Sequence, residues 1–248
     1  MRTLSRVSAA FLLLDGRDKT PVLGATILVD GVRQKTVSKG DGHYVFINLP
    51  LTEHEYEISA LNYHPVRRVL DASPELLPEI VPMQYAPDSP RLRSIPHYRV
   101  RFCRGGRPLD GETVTVTLQT PVGSLRVIEK AEKGAWHLTL GGGYAPAVLY
   151  QTFEAGPAGE LMTTVFDRAA GTYELRRPLG CALREGTLLH PKWQLETDRN
   201  GVAVLPFIGF FMQRDELELL FAWQDKKVSV TAAPPGGTCL MNIDFQEE

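Results

Sequence analysis

The chain has 248 residues, 27 of them Lys or Arg and 29 Asp or Glu, for a formal net charge of -2, and 43% are hydrophobic. That balance excludes the global basic field on which nucleic-acid binding relies, and the hydrophobic share suits a globular fold. No stretch reaches the roughly 18 apolar residues of a membrane-spanning helix, so membrane insertion is not expected either.

In chain order, "MRTLSRVSAAFLLLDGRD" sets Arg2 and Arg6 before an apolar run at Val7 to Leu14, as a weak leader sequence would. The run is short and ends at Asp15 with no small-residue cleavage motif behind it, so it reads as the first strand. In "ATILVDG", Ala25, Ile27 and Val29 alternate with Thr26, Leu28 and Asp30. "VRQKTVS", "HYVFINL" and "EYEISALNY" continue as short strands between Gly-, Asp- or Pro-containing connections, and no segment between them has the apolar period of a helix. Such spacing predicts a β-sandwich.

Prolines at 74, 78, 82, 87, 90 and 96 then interrupt the pattern, leaving "ELLPEIVPMQY" as an edge strand and a boundary near 87–95. Beyond it, "PLDGETVTVTL" echoes "PVLGATILVDG", and "TDRNGVAVLPF" echoes "SKGDGHYVFINLP". "GSLRVIEK" and "GAWHLTL" add further strands. The expected fold is all-β: tandem small Ig-like or transthyretin-like β-sandwich modules over 1–86, 96–172 and 173–248, the last two alternatively forming one fused domain.

Gly40, Asp41 and Gly42 lead directly into Tyr44 and Phe46. Gly reaches positive φ, Asp bonds to nearby backbone, and side chains two apart share a sheet face, so the stretch predicts a hairpin turn. Asp198, Asn200 and Gly201 predict a second such turn. The first 65 residues resemble the carboxypeptidase regulatory-like domain, a transthyretin-like β-sandwich also akin to bacterial B-type repeats of surface proteins. The resemblance rests on Phe11 to Leu14, "PVLGATILVDG", "VSKGDGHYVFINLP" and "YEISALNYHP". It implies that Ala25 enters the core, that Gly40 to Gly42 turn the chain into the next strand, and that the late aromatic before Pro65 closes the sandwich. It also implies a folding accessory, spacer or assembly part and carries no catalytic assignment.

Chemistry-bearing patterns are sparse. His54 and Glu57 mimic the H-x-x-E start of a zinc site, but three residues apart on a strand they face opposite ways. His43, His64, His97, His137 and His190 are dispersed. A calcium loop from Asp198 would need Glu at its twelfth position, where Gly209 stands. Gly141 to Gly143 lack the Lys and Ser or Thr of a phosphate loop, and no GxSxG elbow occurs. Cys103, Cys181 and Cys239 form no CxxC pair and read as free thiols, with one disulfide plus one free thiol as the alternative.

Aromatic residues offer the remaining lead: Trp136, Trp193, Trp223, Tyr144, Tyr150, Phe207, Phe210, Phe211 and Phe221 lie beside Gly- or Pro-containing loops. Residue by residue they read as ordinary sandwich core, whereas several together at a surface would make a partner-binding patch or a carbohydrate platform. "LPFIGFFMQRD" is the best candidate for such a patch, because Phe207, Ile208, Phe210, Phe211 and Met212 are too many adjacent apolar groups for one buried face. The expected function is a noncatalytic structural or protein-interaction component of a larger assembly, bacterial or phage-like. It would need no cofactor or metal, bind a protein partner or its own copies, and work in the cytoplasm or within an assembly. A carbohydrate-binding module is the second expectation. A hydrolase whose residues converge only on folding, with His137 or His190 as base, is the third.

Overall fold

The computed structural model describes residues 6–72, 77–123, 125–142, 144–207, 209–212 and 214–246, so Arg2, Pro74, Gly143 and Ile208 lie outside it. The fold is all-β, with β-sandwich-like pairs of sheets and only short 3-10 turns as helix. Among the described residues no helix is long and apolar enough to cross a membrane. The chain divides into two compact units, Met1–Arg93 and Ser94–Glu248.

The first unit contains β1 (Val7–Asp15), β2 (Thr26–Val29), β3 (Val32–Arg33), β4 (Thr36–Ser38), β5 (His43–Ile47), β6 (Glu53–Ser59), β7 (Val66–Asp71) and β8 (Glu79–Met83). One sheet runs β4-β5-β1-β8 and the other β3-β2-β6-β7. β1 lies antiparallel to β5 and parallel to β8, and it is buried from Ser8 to Asp15, which its unbroken apolar run allows. β5 and β6 instead alternate, each burying one face. Phe11 and Phe46 from one sheet meet Tyr56 from the other, with ring centroids 4.9 Å and 5.7 Å from it. β8 tolerates Pro82 because it ends its sheet, where a missing N–H donor leaves no ladder bond unmade. Ala25, expected inside, is only half-buried; Ile27 and Val29 fill that part of the core.

The second unit contains β9 (His97–Arg104), β10 (Arg107–Pro108), β11 (Thr113–Leu118), β12 (His137–Leu138), β13 (Thr152–Glu154), β14 (Glu160–Asp167), β15 (Thr172–Leu175), β16 (His190–Glu196), β17 (Val202–Pro206), β18 (Leu217–Trp223), β19 (Lys226–Ala232) and β20 (Thr238–Asp244). Its large sheet runs β12-β15-β14-β13-β16-β11-β18-β19, and the facing sheet runs β10-β9-β17 with β20 also on β9. A single hydrophobic cluster extends from Tyr98 to Phe245. The expected division between 172 and 173 falls inside β15 and would cut the β14–β15 hairpin, and residues 94–248 form one unit.

The two units share one strand plan. Around β1 lie an antiparallel β5 and a parallel β8; around β9 lie an antiparallel β17 and a parallel β20. The facing sheets, β3-β2-β6-β7 and β16-β11-β18-β19, have the same order and the same antiparallel pairings. The sequence echoes have a structural cause. Gly42 (φ 86°) and Gly201 (φ 72°) accept through their carbonyls from Leu13 N at 3.0 Å and Phe102 N at 2.8 Å. A Cβ would sit 2.8 Å from the Leu13 carbonyl oxygen at the first glycine and 2.5 Å from that of Phe102 at the second. Both positions therefore require glycine.

Asp41 accepts from His43 N at 3.2 Å, while Asp198 accepts from Asn200 N and Val202 N at 2.8 Å each. Gly40 has neither positive φ nor a close neighbour, so only one of the two expected turn glycines is constrained. A hydroxyl bracket also recurs. Tyr44 OH accepts from Ala25 N and donates to the Val22 carbonyl; Thr197 Oγ1 accepts from Glu112 N and donates to the Leu109 carbonyl. The units differ at one connection. β2 passes to β3 through Asp30 and Gly31, whereas β11 reaches β16 through the segment 119–189, which carries β12 to β15.

Candidate functional site

Burial removes Phe207 and Phe211 from the expected partner patch. After Pro206 the strand ends and residues Gly209–Phe211 form a 3-10 turn, so strand alternation no longer sends neighbouring side chains to opposite faces. Phe207 is fully buried, packing on Tyr98 at 5.6 Å and Trp193 at 5.7 Å. Phe211 is buried edge-on against Trp193 at 5.8 Å. Phe210 and Met212 are half-buried against the same core. The run is apolar because it plugs the sandwich.

Exposed aromatic surface lies instead on the segment 119–189. Trp136 is 48% exposed and Tyr144 47% exposed. Tyr144 rests on Phe166 at 5.3 Å, and Phe166 leans on the buried Tyr173 at 4.8 Å, so the outer ring is anchored to the core by two others. The Arg168 guanidinium covers Tyr144 at 5.8 Å. The Trp136 carbonyl accepts from Leu175 N at 2.7 Å, which fixes its backbone while the indole stays at the surface. Composition named both aromatics without ranking them. The local signal was polar flanking, with Lys133 and Gly134 before Trp136 and His137 after it.

A cleft of about 590 Å³ opens in the second unit where β9 turns into β10, lined by Arg104, Arg107, Leu109, Asp110, Glu112 and Trp223. Arg104 and Arg107 are opposed in register across the turn made by Gly105 (φ 54°) and Gly106 (φ 77°). The Arg104 guanidinium lies over the Trp223 ring at 5.8 Å, and the indole Nε1 donates to Glu112 Oε2 at 3.1 Å. Most of its wall is the stretch 104–112, but no sequence motif marks the cleft, because Trp223, which Arg104 covers, joins it only on folding.

Two further polar clusters belong to the first unit. The buried Asp15 carboxylate accepts from Tyr63 OH at 2.8 Å, Tyr85 OH at 2.5 Å and Arg17 N at 2.8 Å. Burial and this carboxylate both push the two phenols up, and the rings stack 5.4 Å apart. Burial pulls the nearby Lys19 ammonium down to about 8, against the opposing attraction of Asp15 and Asp18. Asp15 thus ties the end of β1 to the aromatic before Pro65.

His54, whose side chain is buried in β6, meets Asp30 Oδ2 at 2.6 Å through Nδ1 and the Pro50 carbonyl at 3.1 Å through Nε2. Both neighbours are acceptors, so the pair favours the doubly protonated ring. The hydrogen bond donated to Asp30 raises the histidine pKa and lowers that of the aspartate. Glu57 lies on the other face of β6 and pairs with Arg67 at 3.2 Å, as strand alternation requires.

His137 is exposed on β12 opposite Glu174, and His190 Nδ1 faces the Leu118 carbonyl at 3.1 Å, so the two histidines expected as bases have no serine hydroxyl among their described partners. Cys103, Cys181 and Cys239 are free and half-buried. Among the described residues no group of three or more His, Cys, Asp or Glu side chains is arranged to hold a metal ion. In comparison with known proteins, the chain matches no family model, no curated protein and no solved structure.

Proposed function

We propose that the chain is a noncatalytic protein-interaction component of a larger assembly, of a bacterial or phage-like kind, and that the segment 119–189 of the second unit is its docking element. The first unit is read as a sandwich of the carboxypeptidase regulatory-like type, and the second as a related Ig-like or transthyretin-like sandwich. One observation carries the reading: the first unit joins the equivalent strands through Asp30 and Gly31, so the strand plan does not require the segment. Ordering it costs conformational entropy, yet it holds Trp136 and Tyr144 half out of the core on fixed backbone and stacked rings. Aromatic side chains held this way supply interface anchors with little rotamer entropy to lose.

The same exposed Trp136 favours a second reading, a carbohydrate platform, over the many alternatives that no residue supports. Trp136→Ser and Tyr144→Ser are expected to leave folding unchanged by circular dichroism. In a complex recovered under mild conditions and rebuilt from purified components, they should weaken calorimetric affinity by about tenfold or more. Sedimentation of the free protein tests association with its own copies, and a glycan panel tests the sugar reading. Unchanged affinity in both folded variants would remove the segment from the interface.

A further inference from the structure

We infer that the cleft at the β9–β10 turn of the second unit captures the C-terminal carboxylate of a partner peptide. The inference rests on the protein-interaction reading and names the partner chemistry that one part of the chain recognises.

The cleft is not a by-product of the fold, because the first unit closes the same corner. Leu13 faces Gly42 as Phe102 faces Gly201, so Asp15 and Arg104, two residues further along, hold equivalent positions. In the first unit Tyr63 and Tyr85 fold over that position and donate to Asp15. In the second unit the charge at the position is reversed and the corner opens into about 590 Å³, within the range of small-ligand pockets.

Arg104 and Arg107 are cross-strand neighbours, and like charges directly opposite each other destabilise a pair of strands. An anion between them converts that repulsion into charge-assisted hydrogen bonds, for which the guanidinium fork matches a carboxylate. Stacking on Trp223, itself held by Glu112, orients Arg104 before any ligand arrives. The Arg107 side chain is exposed, with no hydrogen-bond or ion-pair partner among the described residues.

Asp110 and Glu112 stand in the same cleft. Two carboxylates line the cleft beside the two guanidiniums, and a third, Asp244, accepts from the Gly106 N–H of the turn at 3.0 Å, so the corner has no net positive field, which disfavours a multiply charged anion such as phosphate. A monoanion carrying its own N–H donor satisfies both signs: the terminal carboxylate reaches the arginines while the last peptide N–H reaches Asp110. Capture of a chain terminus is an established mode of peptide recognition.

The test uses the full-length ¹⁵N-labelled protein and NMR. An N-acetylated tripeptide with a free C-terminus is titrated alongside its C-terminal amide, an amidated peptide carrying a Glu side chain, and inorganic phosphate. The free acid alone is expected to shift the Gly105, Gly106 and Asp110 amides and the Trp223 indole N–H. Arg107→Gln should weaken its binding by about tenfold or more, with Arg107→Lys retaining part of it. Equal binding of the amide, equal shifts with phosphate, equal binding of the Glu side chain, or no shift with millimolar free acid would each overturn the inference. A complex that loses affinity in Trp136→Ser while the cleft ignores every peptide overturns this inference alone. Loss of the interaction reading appears separately, as full affinity in both aromatic variants.

Discussion

Gly42→Ala is expected to destabilise the first unit by about 1–3 kcal/mol, and the structure assigns where the cost arises. Its φ of 86° lies in the left-handed region, which costs an L-residue roughly 1–2 kcal/mol. The added Cβ would fall 2.8 Å from the Leu13 carbonyl oxygen and 3.1 Å from Pro21 Cβ. Relief requires a backbone shift that loosens the 3.0 Å bond from Leu13 N to the Gly42 carbonyl, worth about 0.5–1.5 kcal/mol. Alanine recovers about 0.4–1 kcal/mol by restricting the unfolded chain. Two other glycines separate the contributions. Gly24→Ala meets positive φ (71°) in open space and should cost about 1 kcal/mol, while Gly40→Ala meets neither and should stay within about 0.5 kcal/mol. Native-state hydrogen exchange in the full chain, read at the Leu13 and Val22 amides, measures all three within the unit concerned. The reasoning fails if Gly42→Ala raises exchange no more than Gly40→Ala does.

Three other outcomes are expected. Phe207→Ala should destabilise the second unit by about 3–5 kcal/mol in denaturant melts, with a clearly smaller loss for the half-buried Phe210→Ala; equal losses would contradict the burial difference. Asp15→Ala leaves two buried phenols and backbone donors without their acceptor and should cost about 3–5 kcal/mol by the same assay, whereas a near-neutral result would mean water replaces the carboxylate. The His54–Asp30 pair has a pH window. The raised histidine pKa gives stability fully present below the unfolded value of 6.5 and lost as pH rises through the higher folded value. The lowered aspartate pKa gives stability present above 3.8 and lost as pH falls through the lower folded value, so the pair contributes most between the two. Proton NMR should follow the His54 pKa back towards 6.5 in Asp30→Asn, and an unmoved titration would dismiss the pair as its cause.

What the sequence disclosed was local. The turn at Asp41 and Gly42, the shared face of Tyr44 and Phe46, and the opposed faces of His54 and Glu57 all follow from strand period and glycine geometry. The echoes between "PVLGATILVDG" and "PLDGETVTVTL" identified positions whose turns match, with Gly24 and Gly111 both at positive φ. Long-range pairing was not legible. Nothing local indicates that β11 joins β16 across the segment 119–189, and without that pairing the second half reads as two modules. Phe207 and Phe211 escaped for a related reason, since their burial depends on long-range packing against Tyr98 and Trp193, which adjacent residues do not reveal. The cleft was invisible because Arg104 and Trp223 meet only after β9 and β18 come to face each other in the folded unit.

The parallel pairing of first and last strands, β1 with β8 and β9 with β20, has a kinetic consequence. Neither sandwich closes until its whole intervening chain is in place, so loop-closure entropy is spent before the pairing rewards it, and folding belongs to the millisecond-to-second regime of non-local β proteins. The delay is greater in the second unit, where β11 must also find β16 across 119–189. Within that segment, the β13–β14 and β14–β15 hairpins are local and can form in about 1–10 μs. A refolding chain therefore acquires its insertion hairpins early and its second sandwich last, and through that interval the edges of β9 and β11 are open to strands of other molecules.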